Sequence, residues 1–589
     1  MFLFTRFRRP PTQGRSGAEE SLTTDRPPER TARDDLPGDT GGSDRLGTHS
    51  VLAWVTSALA GLLVLFALVA PNQLNRLTPG AFVRIPLEGL VAVTLLLVLP
   101  GRARRVGAPL LGSALGLLTI LKIIDMGFFT AFDRPFHLGV DWVLFDDGVG
   151  FLADSFGRFA ATGAVVAAVL LVTVLLILMT LSVLRLARLV ARHDTRARRT
   201  VAVLAVVWLA CAALGVRIVP GVPVADSSAT ALVYDHAQQV GAGLRDRKTF
   251  AAEIADDAFR DVPGEQLLTA LRGKHVVIAF IESYGRDAVE DPEFATQVGA
   301  VLDAGDSRLR AAGFTSRSGF LTSPAMGGGS WLAHDTLLSG LWIDNEQRHR
   351  GLLASDRLTL GAAFRRANWQ TVGVMPAVSQ DWPEGAVFGH ERFYDVRDLG
   401  YEGPTFAYAP IPDQYTLSAY HRLAQATPDR APVMAEIALV SSHSPWTTIP
   451  RLLDWKEIGD GSVFHNAAAA TERPQAGAKG DPVTRARTGY RRAIEYSLNS
   501  VISYVETYGD DDLVLVVLGD HQPTPLITGE GATRDVPISI VARDRAVLER
   551  ISGWRWQDGL KPGPQAPVWR MDAFRDRFLT AFGPGRAAG

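Results

Sequence analysis

The chain has 589 residues, 47% of them hydrophobic, and a formal net charge of −2. Its mean hydropathy of +0.09 is high for a chain of this length and indicates that apolar residues are concentrated in particular segments. The small net charge points to neither a nucleic-acid binder nor a polyanion binder. A single cysteine, Cys211, excludes intramolecular disulfides and a multi-thiolate metal site.

The N-terminal third of the chain alternates between polar and apolar segments. Residues 1–47 are rich in Arg, Asp, Gly, Pro and Thr and contain few large apolar residues, which predicts a disordered tail. Three uncharged apolar stretches follow, at Val51–Ala70, Phe159–Leu184 and Thr200–Val216. Stretches of about 20 apolar residues have the length of a membrane-spanning helix. Each of the three therefore predicts one span.

Two weaker apolar stretches lie between these strong ones. Ile85–Pro100 carries Glu88, and Val106–Phe129 carries Lys122 and Asp125. They are compatible with buried core helices, but their position between strong spans favours membrane helices. Lys122 and Asp125 lie three residues apart on one helical face and could form an ion pair or serve a function, because charges inside a span are costly.

Basic residues in the connecting segments predict the orientation. The links after the second and fourth spans contain the basic residues Arg102, Arg104, Arg105, Arg185, Arg188, Arg192, Arg196, Arg198 and Arg199. The link after the third span is acidic. Because basic links remain in the cytoplasm, the tail is predicted inside and the chain after Pro220 outside. The predicted domains are a tail (1–47), five transmembrane helices (48–219), a juxtamembrane connector (220–265) and an extracytoplasmic domain (266–589).

The predicted extracytoplasmic domain has the pattern of an α/β fold. Three nearly continuous apolar runs, His275–Ile281, Val433–Val440 and Leu513–Leu518, are separated by helical stretches. Strands buried on both faces have this pattern, which predicts a mostly parallel sheet covered by helices.

Polar side chains follow each of the three predicted strands. Glu282 follows the first, His443 follows the second, and Asp520 and His521 follow the third. Ligand sites in open α/β sheets lie beyond the carboxyl ends of the strands. These residues are therefore expected at one edge of the sheet, where they predict a metal site.

A candidate nucleophile precedes a predicted helix. Ser330 follows three glycines, and a helical pattern opens at Trp331, so Ser330 is predicted as the N-cap. Serine is a favoured cap without any chemistry. The glycines permit close backbone approach, and a helix N-terminus favours a phosphate, so a nucleophilic hydroxyl is the second interpretation.

These motifs together resemble the alkaline phosphatase and sulfatase superfamily. More narrowly, they are similar to lipoteichoic acid synthase-like phosphoglycerol transferases and to lipid A phosphoethanolamine transferases, which have five N-terminal spans and an outer sulfatase-like domain. The resemblance covers about residues 273–529 by motif. It implies that Glu282, Asp520 and His521 are metal ligands, that Ser330 is the nucleophile and a further ligand, and that His443 binds substrate or protonates the leaving group.

The departures from the family narrow the resemblance. The formylglycine motif of classical sulfatases is absent, and the cysteine-free outer domain differs from the disulfide-containing phosphoethanolamine transferases. Both departures favour the phosphoglycerol-transferase side. Serine stands where those transferases usually have threonine.

The resemblance implies two-step phosphoryl transfer from a phospholipid donor at the outer leaflet to a glycan or glycolipid acceptor. Two carboxylates, an imidazole and an alkoxide suit one divalent ion, Mn²⁺ or Zn²⁺ first and Mg²⁺ as the alternative. Trp382, Arg392 and Trp446 are candidate head-group contacts, although ordinary loop packing is the more common role for such residues. The protein is thus expected in a bacterial-type plasma membrane, as a multi-pass enzyme with no nucleic-acid partner.

Two alternatives remain open from the sequence. A membrane-anchored phosphatase or phosphodiesterase has the same ligands as a transferase. A non-catalytic lipid-binding scaffold keeps the fold without chemistry, but the ligand residues are present.

Overall fold

The computed structural model describes residues 43–219, 222–379, 383–406, 409–425, 431–466, 471–472 and 481–584. Trp382 and most of the predicted disordered tail lie outside these ranges. The chain divides into two compact units, residues 1–56 and 57–589. In the first unit the described residues form the beginning of one helix. Everything below concerns the second unit, and the four-domain division drawn from the sequence stays a prediction.

Seven helices and four short strands make up the described chain before residue 256. The helices are α1 Ser43–Val69, α2 Leu87–Val98, α3 Gly101–Phe132, α4 Val143–Phe156, α5 Arg158–Arg192, α6 Asp194–Leu214 and α7 Ser228–Ala255. The strands are β1 Ile85–Pro86, β2 Arg217–Val219, β3 Val222–Pro223 and β4 Ala225–Asp226. Within the described ranges, α1, α3, α5 and α6 are long and apolar enough to cross a membrane.

The fifth predicted span, Ile85–Pro100, is shorter than expected. Its first two residues pair with Ala225–Asp226 as strands, and the helix that follows, α2, has only 12 residues. Such a helix is about 18 Å long, against a hydrocarbon core of about 30 Å. The structure therefore supports four spans by length, and α2 is a shorter apolar helix.

Close helix contact in the membrane part depends on two small residues of α3. A Cβ atom on Gly112 would lie 2.7 Å from the Thr180 backbone of α5, and one on Gly116 would lie 2.9 Å from Leu176. Glycines spaced by four residues let helix backbones approach in a membrane, where packing rather than the hydrophobic effect drives association.

The remaining elements form the α/β domain. Its strands are β5 His275–Ile281, β6 Thr315–Thr322, β7 Gln370–Met375, β8 Arg392–Asp395, β9 Val433–Leu439, β10 Ile449–Pro450, β11 Thr471–Glu472, β12 Leu513–Gly519, β13 Asp535–Ala542, β14 Gln557–Asp558 and β15 Val568–Arg570. Its helices are α8 Asp287–Glu290, α9 Ala295–Ala311, α10 Ser330–Ser339, α11 Glu346–Leu353, α12 Leu360–Arg366, α13 Asp413–Tyr420, α14 Pro482–Tyr508, α15 Pro525–Thr528, α16 Arg545–Arg550 and α17 Ala573–Phe582.

The central sheet has nine strands among the described residues, in the order β14-β6-β13-β12-β5-β9-β7-β8, with β15 beside β6. The three predicted strands are confirmed as β5, β9 and β12, and they are parallel neighbours. The sheet as a whole is mixed, because β13 runs antiparallel to both β12 and β6. The prediction of a mostly parallel sheet thus describes the half from β12 to β8.

The apolar runs are continuous because both faces of the sheet are covered. On β5, Val277, Ala279 and Ile281 face the cluster built with α9 and α14. The alternate residues Val276, Ile278 and Phe280 face the cluster built with α10, α12 and α17. Alternate residues of a strand point to opposite faces, so this strand has no solvent-facing side.

Candidate metal centre and nucleophile

Two parallel strands bring the predicted ligands together. Ile281 at the end of β5 is paired with Gly519 at the end of β12, so the residues that follow, Glu282 and Asp520, are neighbours. One ligand atom from each of Glu282, Asp520 and His521 lies within 4.8 Å of the others, and all three residues are buried. The sequence prediction that these residues share one edge of the sheet agrees with this geometry.

The imidazole of His521 is oriented for coordination. Its Nδ1 donates to the backbone carbonyl of Gln522 at 2.8 Å. Its Nε2 faces Glu282 Oε1 at 3.4 Å and Asp520 Oδ2 at 3.7 Å. A backbone partner on one ring nitrogen fixes the tautomer and leaves the other as the ligand atom.

The two carboxylates of the site oppose each other electrostatically. Burial and the neighbouring Glu282 charge raise the pKa of Asp520. Burial also acts to raise the pKa of Glu282, but His521 and His443 outweigh it and lower that pKa. Because two close carboxylates cannot both be ionised cheaply in a buried site, the arrangement calls for a cation. Two carboxylates, one imidazole and one hydroxyl are a donor set that fits Mn²⁺, Zn²⁺ or Mg²⁺.

The fourth donor is the hydroxyl of Ser330. Its Oγ donates to Glu282 Oε2 at 2.9 Å and lies 3.3 Å from His521 Nε2. The three preceding glycines all have positive φ angles, of 74°, 159° and 83°, which residues with a Cβ adopt only with strain. Gly329 is the N-cap and Ser330 is the first residue of α10. The prediction that Ser330 caps the helix was therefore wrong by one position.

Two other hydroxyls near this turn have different partners. Thr322 Oγ1 donates to Asp535 at 2.7 Å, and Ser323 Oγ donates to the carbonyl of Asp520 at 2.6 Å. Among these three hydroxyls, only that of Ser330 is hydrogen-bonded to a ligand carboxylate.

A strained residue supports the ligand carboxylates. Ser283 has a φ of 55°, a left-handed conformation that costs a non-glycine residue about 1–2 kcal/mol. This conformation directs its backbone N–H to Asp520 Oδ1 at 2.7 Å and its hydroxyl to Glu282 Oε1 at 2.7 Å. One residue thus orients both carboxylates.

The other predicted site residues lie in different environments. His443 is part-buried, and its charge acts on Glu282. Trp446 is 9% exposed, donates its indole N–H to Ser442 and packs on Tyr490. Arg392 is exposed at the amino end of β8, the strand at the sheet edge. Trp446 and Arg392 are therefore not brought to the metal centre, because one is in the core and the other begins a strand whose carboxyl end faces the site.

A second buried polar cluster lies next to the nucleophile helix. Glu436, 1% exposed, accepts from His334 Nδ1 at 2.6 Å and from His390 Nε2 at 2.7 Å. His334 is one helical turn after Ser330 and stacks on Phe280, with 3.7 Å between ring centroids. The sequence analysis did not identify this cluster. Its signal was the single charge inside the apolar run of β9.

The glycine turn before Ser330 packs directly on a membrane helix. A Cβ atom on Gly327 would lie 1.8 Å from the carbonyl oxygen of Ala131, and one on Gly328 would lie 3.0 Å from the Phe132 ring. Ala131 and Phe132 are the last two residues of α3. The nucleophile turn and the end of a membrane helix therefore fit together without space for larger side chains.

Comparison with solved structures finds similar folds in three membrane-associated enzymes. The lipoteichoic acid synthase LtaP from Listeria monocytogenes is 14% identical over 54% of this chain and 74% of its own, with a TM-score of 0.36. The periplasmic domain of EptC from Escherichia coli is 13% identical over 53% and 82%, at 0.35. The Streptococcus pyogenes phosphoglycerol transferase GacH is 12% identical over 58% and 91%, at 0.33.

The resemblance inferred from the sequence thus recurs among solved structures. At these identities and TM-scores, the neighbours carry no argument about the chemistry of this chain. No family profile matches the chain. No curated protein matches it.

Proposed function

We propose that this protein is a membrane-anchored, metal-dependent transferase that moves a phosphoryl head group from a phospholipid at the outer leaflet to an alcohol acceptor. The observation that carries the proposal is the Ser330 hydroxyl, 2.9 Å from Glu282 within a buried cluster of ligand type. A nucleophile, its activating carboxylate and a helix N-terminus that favours phosphate meet at one point.

The metal would be held by Glu282, Asp520, His521 and Ser330. A bound divalent ion supplies charge stabilisation on the phosphate and lowers the pKa of the attacking hydroxyl. All other contributions come from the protein. The first N–H groups of α10 point at the phosphate position, and Ser283 holds both carboxylates in place.

The reaction has two balanced steps. In the first, Ser330 Oγ forms a bond to phosphorus, its proton passes to Glu282, and the bond from phosphorus to the lipid alcohol breaks. His443 gives its proton to the departing alkoxide. In the second step the acceptor hydroxyl attacks phosphorus, loses its proton to His443, and Ser330 leaves and is protonated again. Cell-envelope glycans and glycolipids provide hydroxyl acceptors of this type.

The membrane part supports a lipid donor. The glycine turn before the nucleophile packs on the end of α3, so the reaction centre is tied to a helix that is long enough to span the bilayer. The predicted orientation, with the Arg-rich links inside, puts the α/β domain on the extracytoplasmic side and the N-terminal tail in the cytoplasm.

Turnover of a head-group-labelled phospholipid by the purified full chain tests the proposal. We expect the label on an added glycolipid acceptor, no turnover after chelation, and recovery with Mn²⁺ or Zn²⁺. Label appearing only as a water-soluble product identifies the hydrolase alternative, which needs the same residues. No release of label from any phospholipid with the metal bound contradicts the proposal.

Metal content separates the enzyme from a scaffold. Asp520→Ala is expected to lose a divalent ion that the wild-type chain retains, whereas Asp558→Ala removes a solvent-exposed carboxylate (77% exposed) and should retain it. Elemental analysis of both purified variants gives the answer. Equal metal content in Asp520→Ala and the wild type contradicts the predicted site.

A further inference from the structure

A large apolar cavity lies between the membrane helices, away from Ser330. It has a volume of about 420 Å³ and is lined by α1, α2, α3, α5 and the first turns of α7. Among its lining residues, only Glu88 and Thr230 have polar side chains. Both lie where α2 and α7 begin, so the polar groups are confined to one end. The short α2 contributes to the cavity, because its 12 residues fill only part of the bilayer depth.

A polar cavity of about 450 Å³ lies next to the apolar one. Three cationic residues, Arg76, Arg84 and Lys122, are among its lining residues, and no carboxylate side chain is. Lys122 is 3% exposed and donates to the carbonyls of Ala67, Leu68 and Ala70. It forms no ion pair with Asp125, which instead accepts from Asn72 and from the backbone of Phe136.

The charges of this polar cavity are not balanced by its own walls. Arg84 is paired with the buried Asp226 at 2.9 Å. The charge of Lys122 faces only backbone carbonyls. Arg76 is exposed, and within the described residues its guanidinium has no hydrogen bond or ion pair. A cavity lined by cations with an uncommitted guanidinium at its mouth is complementary to an anion.

The same elements line both cavities at consecutive positions. On α3, Leu118 lines the apolar cavity and Lys122, one turn later, lines the polar one. On α7, Thr230 and Val233 face the first, and Leu232 faces the second. The two cavities are therefore stacked along α3, with the polar one nearer the α/β domain.

We propose that the two cavities together bind one anionic phospholipid, with an acyl chain in the apolar cavity and its phosphate among Arg76, Arg84 and Lys122. An apolar cavity excludes water, and inside a bilayer the available apolar filling is a lipid chain. The volume is in the range of about 300–1,000 Å³ that small-molecule sites occupy. The lipid joins α7, which leads into the α/β domain, to the membrane helices.

This lipid site is distinct from the proposed catalytic centre. Lys122 precedes Ala131, the residue against the nucleophile turn, by nine positions on α3, which is about 14 Å along the helix axis. A phosphate held at Lys122 is therefore out of bonding reach of Ser330. The inference does not depend on whether Ser330 transfers phosphoryl groups.

Photo-crosslinking with the full chain in lipid nanodiscs tests the proposal. The probe is phosphatidylglycerol with a diazirine in one acyl chain, and the comparison probe is phosphatidylcholine with the same chains. We expect crosslinks from the anionic probe on the peptides that contain α2 and Leu111–Leu118, and at least fivefold fewer from the zwitterionic probe. Mass spectrometry of the peptides separates this site from crosslinks near Ser330.

Two variants and two matched controls complete the experiment. Arg76→Gln removes one exposed cation and should lower anionic-probe labelling of these peptides about fivefold, whereas Arg245→Gln, on the exposed side of α7, should not. Ala92→Phe fills the apolar cavity and should abolish this labelling. Leu170→Phe, on the 59% exposed surface of α5, should leave it unchanged.

Three outcomes overturn the proposal. The first is equal labelling of the cavity peptides by the two probes. The second is unchanged labelling in both Arg76→Gln and Ala92→Phe. The third is loss of labelling when glycerol phosphate is added in solution, which would assign the polar cavity to a free anion instead of a lipid.

Discussion

At the scale of single residues, the site is built from groups that each have one defined partner. Ser330 bonds Glu282, His521 bonds a backbone carbonyl, and Ser283 orients both carboxylates. Beneath them, Glu436 holds two histidines. A buried carboxylate between two imidazoles is stable only while both partners are present, since an unpaired buried charge is costly. His334 connects this pair to the nucleophile helix.

The first residue-scale prediction concerns pH. Burial acts to lower the pKa of His334, but its bond to Glu436 outweighs this and raises it. A raised folded-state pKa stabilises the fold below the unfolded value of about 6.5 and loses that effect as pH rises through the folded pKa. We therefore expect the thermal midpoint to fall above pH 6.5, and to fall less in His334→Gln. Calorimetry at saturating metal, which holds Asp520 ionised, gives both curves.

Glu436 contributes in the opposite range. Burial acts to raise its pKa, but the two imidazoles lower it to about 2. A lowered pKa gives stability above the unfolded value of about 4.3, and this stability is lost as pH falls from there towards 2. Glu436→Gln should cost about 2–3 kcal/mol near neutral pH, because it leaves a buried partner unsatisfied. An unchanged midpoint in Glu436→Gln contradicts a paired, buried carboxylate.

The ligand residues were predictable at this scale, and the histidine pair was not. Glu282, Asp520 and His521 follow apolar runs, and parallel strands deliver their following residues to one edge. Glu436 also lies in such a run, but its partners come from α10 and from the segment before β8. Nothing in a linear pattern reports which histidines from distant segments face one carboxylate. Trp446 and Arg392 were misplaced because composition alone does not distinguish packed from substrate-facing side chains.

At the scale of elements, the contact between the nucleophile turn and α3 connects the membrane part to the chemistry. Gly327 has a φ of 74°, and its Cβ position is occupied by the carbonyl of Ala131. Backbone on both sides means that neither partner is able to rotate away. The position of Ser330 therefore depends on the end of a membrane helix.

Gly327→Ala tests this dependence. We expect it to reduce turnover more than tenfold and to destabilise the chain, because the new methyl group meets backbone. The matched control is Gly531→Ala, which has the same backbone strain at φ 75° but no atom within 4 Å of the Cβ position. It should cost only about 1–2 kcal/mol and leave turnover unchanged. Equal loss of turnover in the two variants would assign the effect to backbone strain alone.

The element boundaries were predicted where hydrophobic periodicity determines them. β5 matches the predicted run His275–Ile281, and the ends of β9 and β12 differ by one residue. The second membrane stretch was overestimated, because Ile85–Pro86 form strand pairs with residues about 140 positions later in the chain. The antiparallel β13 was missed, since an apolar run does not encode the direction of its neighbour.

At the scale of the whole molecule, the Arg-rich links and the apolar helices define an orientation. A fluorescent reporter that matures only in the cytoplasm should be dark when fused after Gly589. The same reporter inserted after Arg196, in the link between α5 and α6, should be bright. Fluorescence at the C-terminal fusion would place the α/β domain in the cytoplasm and exclude an outer-leaflet donor.

The central claim is that Ser330 carries the phosphoryl group during transfer. The most direct measurement is mass spectrometry of the full chain, quenched in acid after mixing with labelled phospholipid and metal. We predict a labelled phosphodiester on the peptide that contains Ser330, absent after chelation and absent in Ser330→Ala. Thr322→Ala should keep the adduct, because that hydroxyl bonds Asp535. An adduct on Thr322 or Ser323, or turnover by Ser330→Ala equal to that of the wild type, would contradict the account.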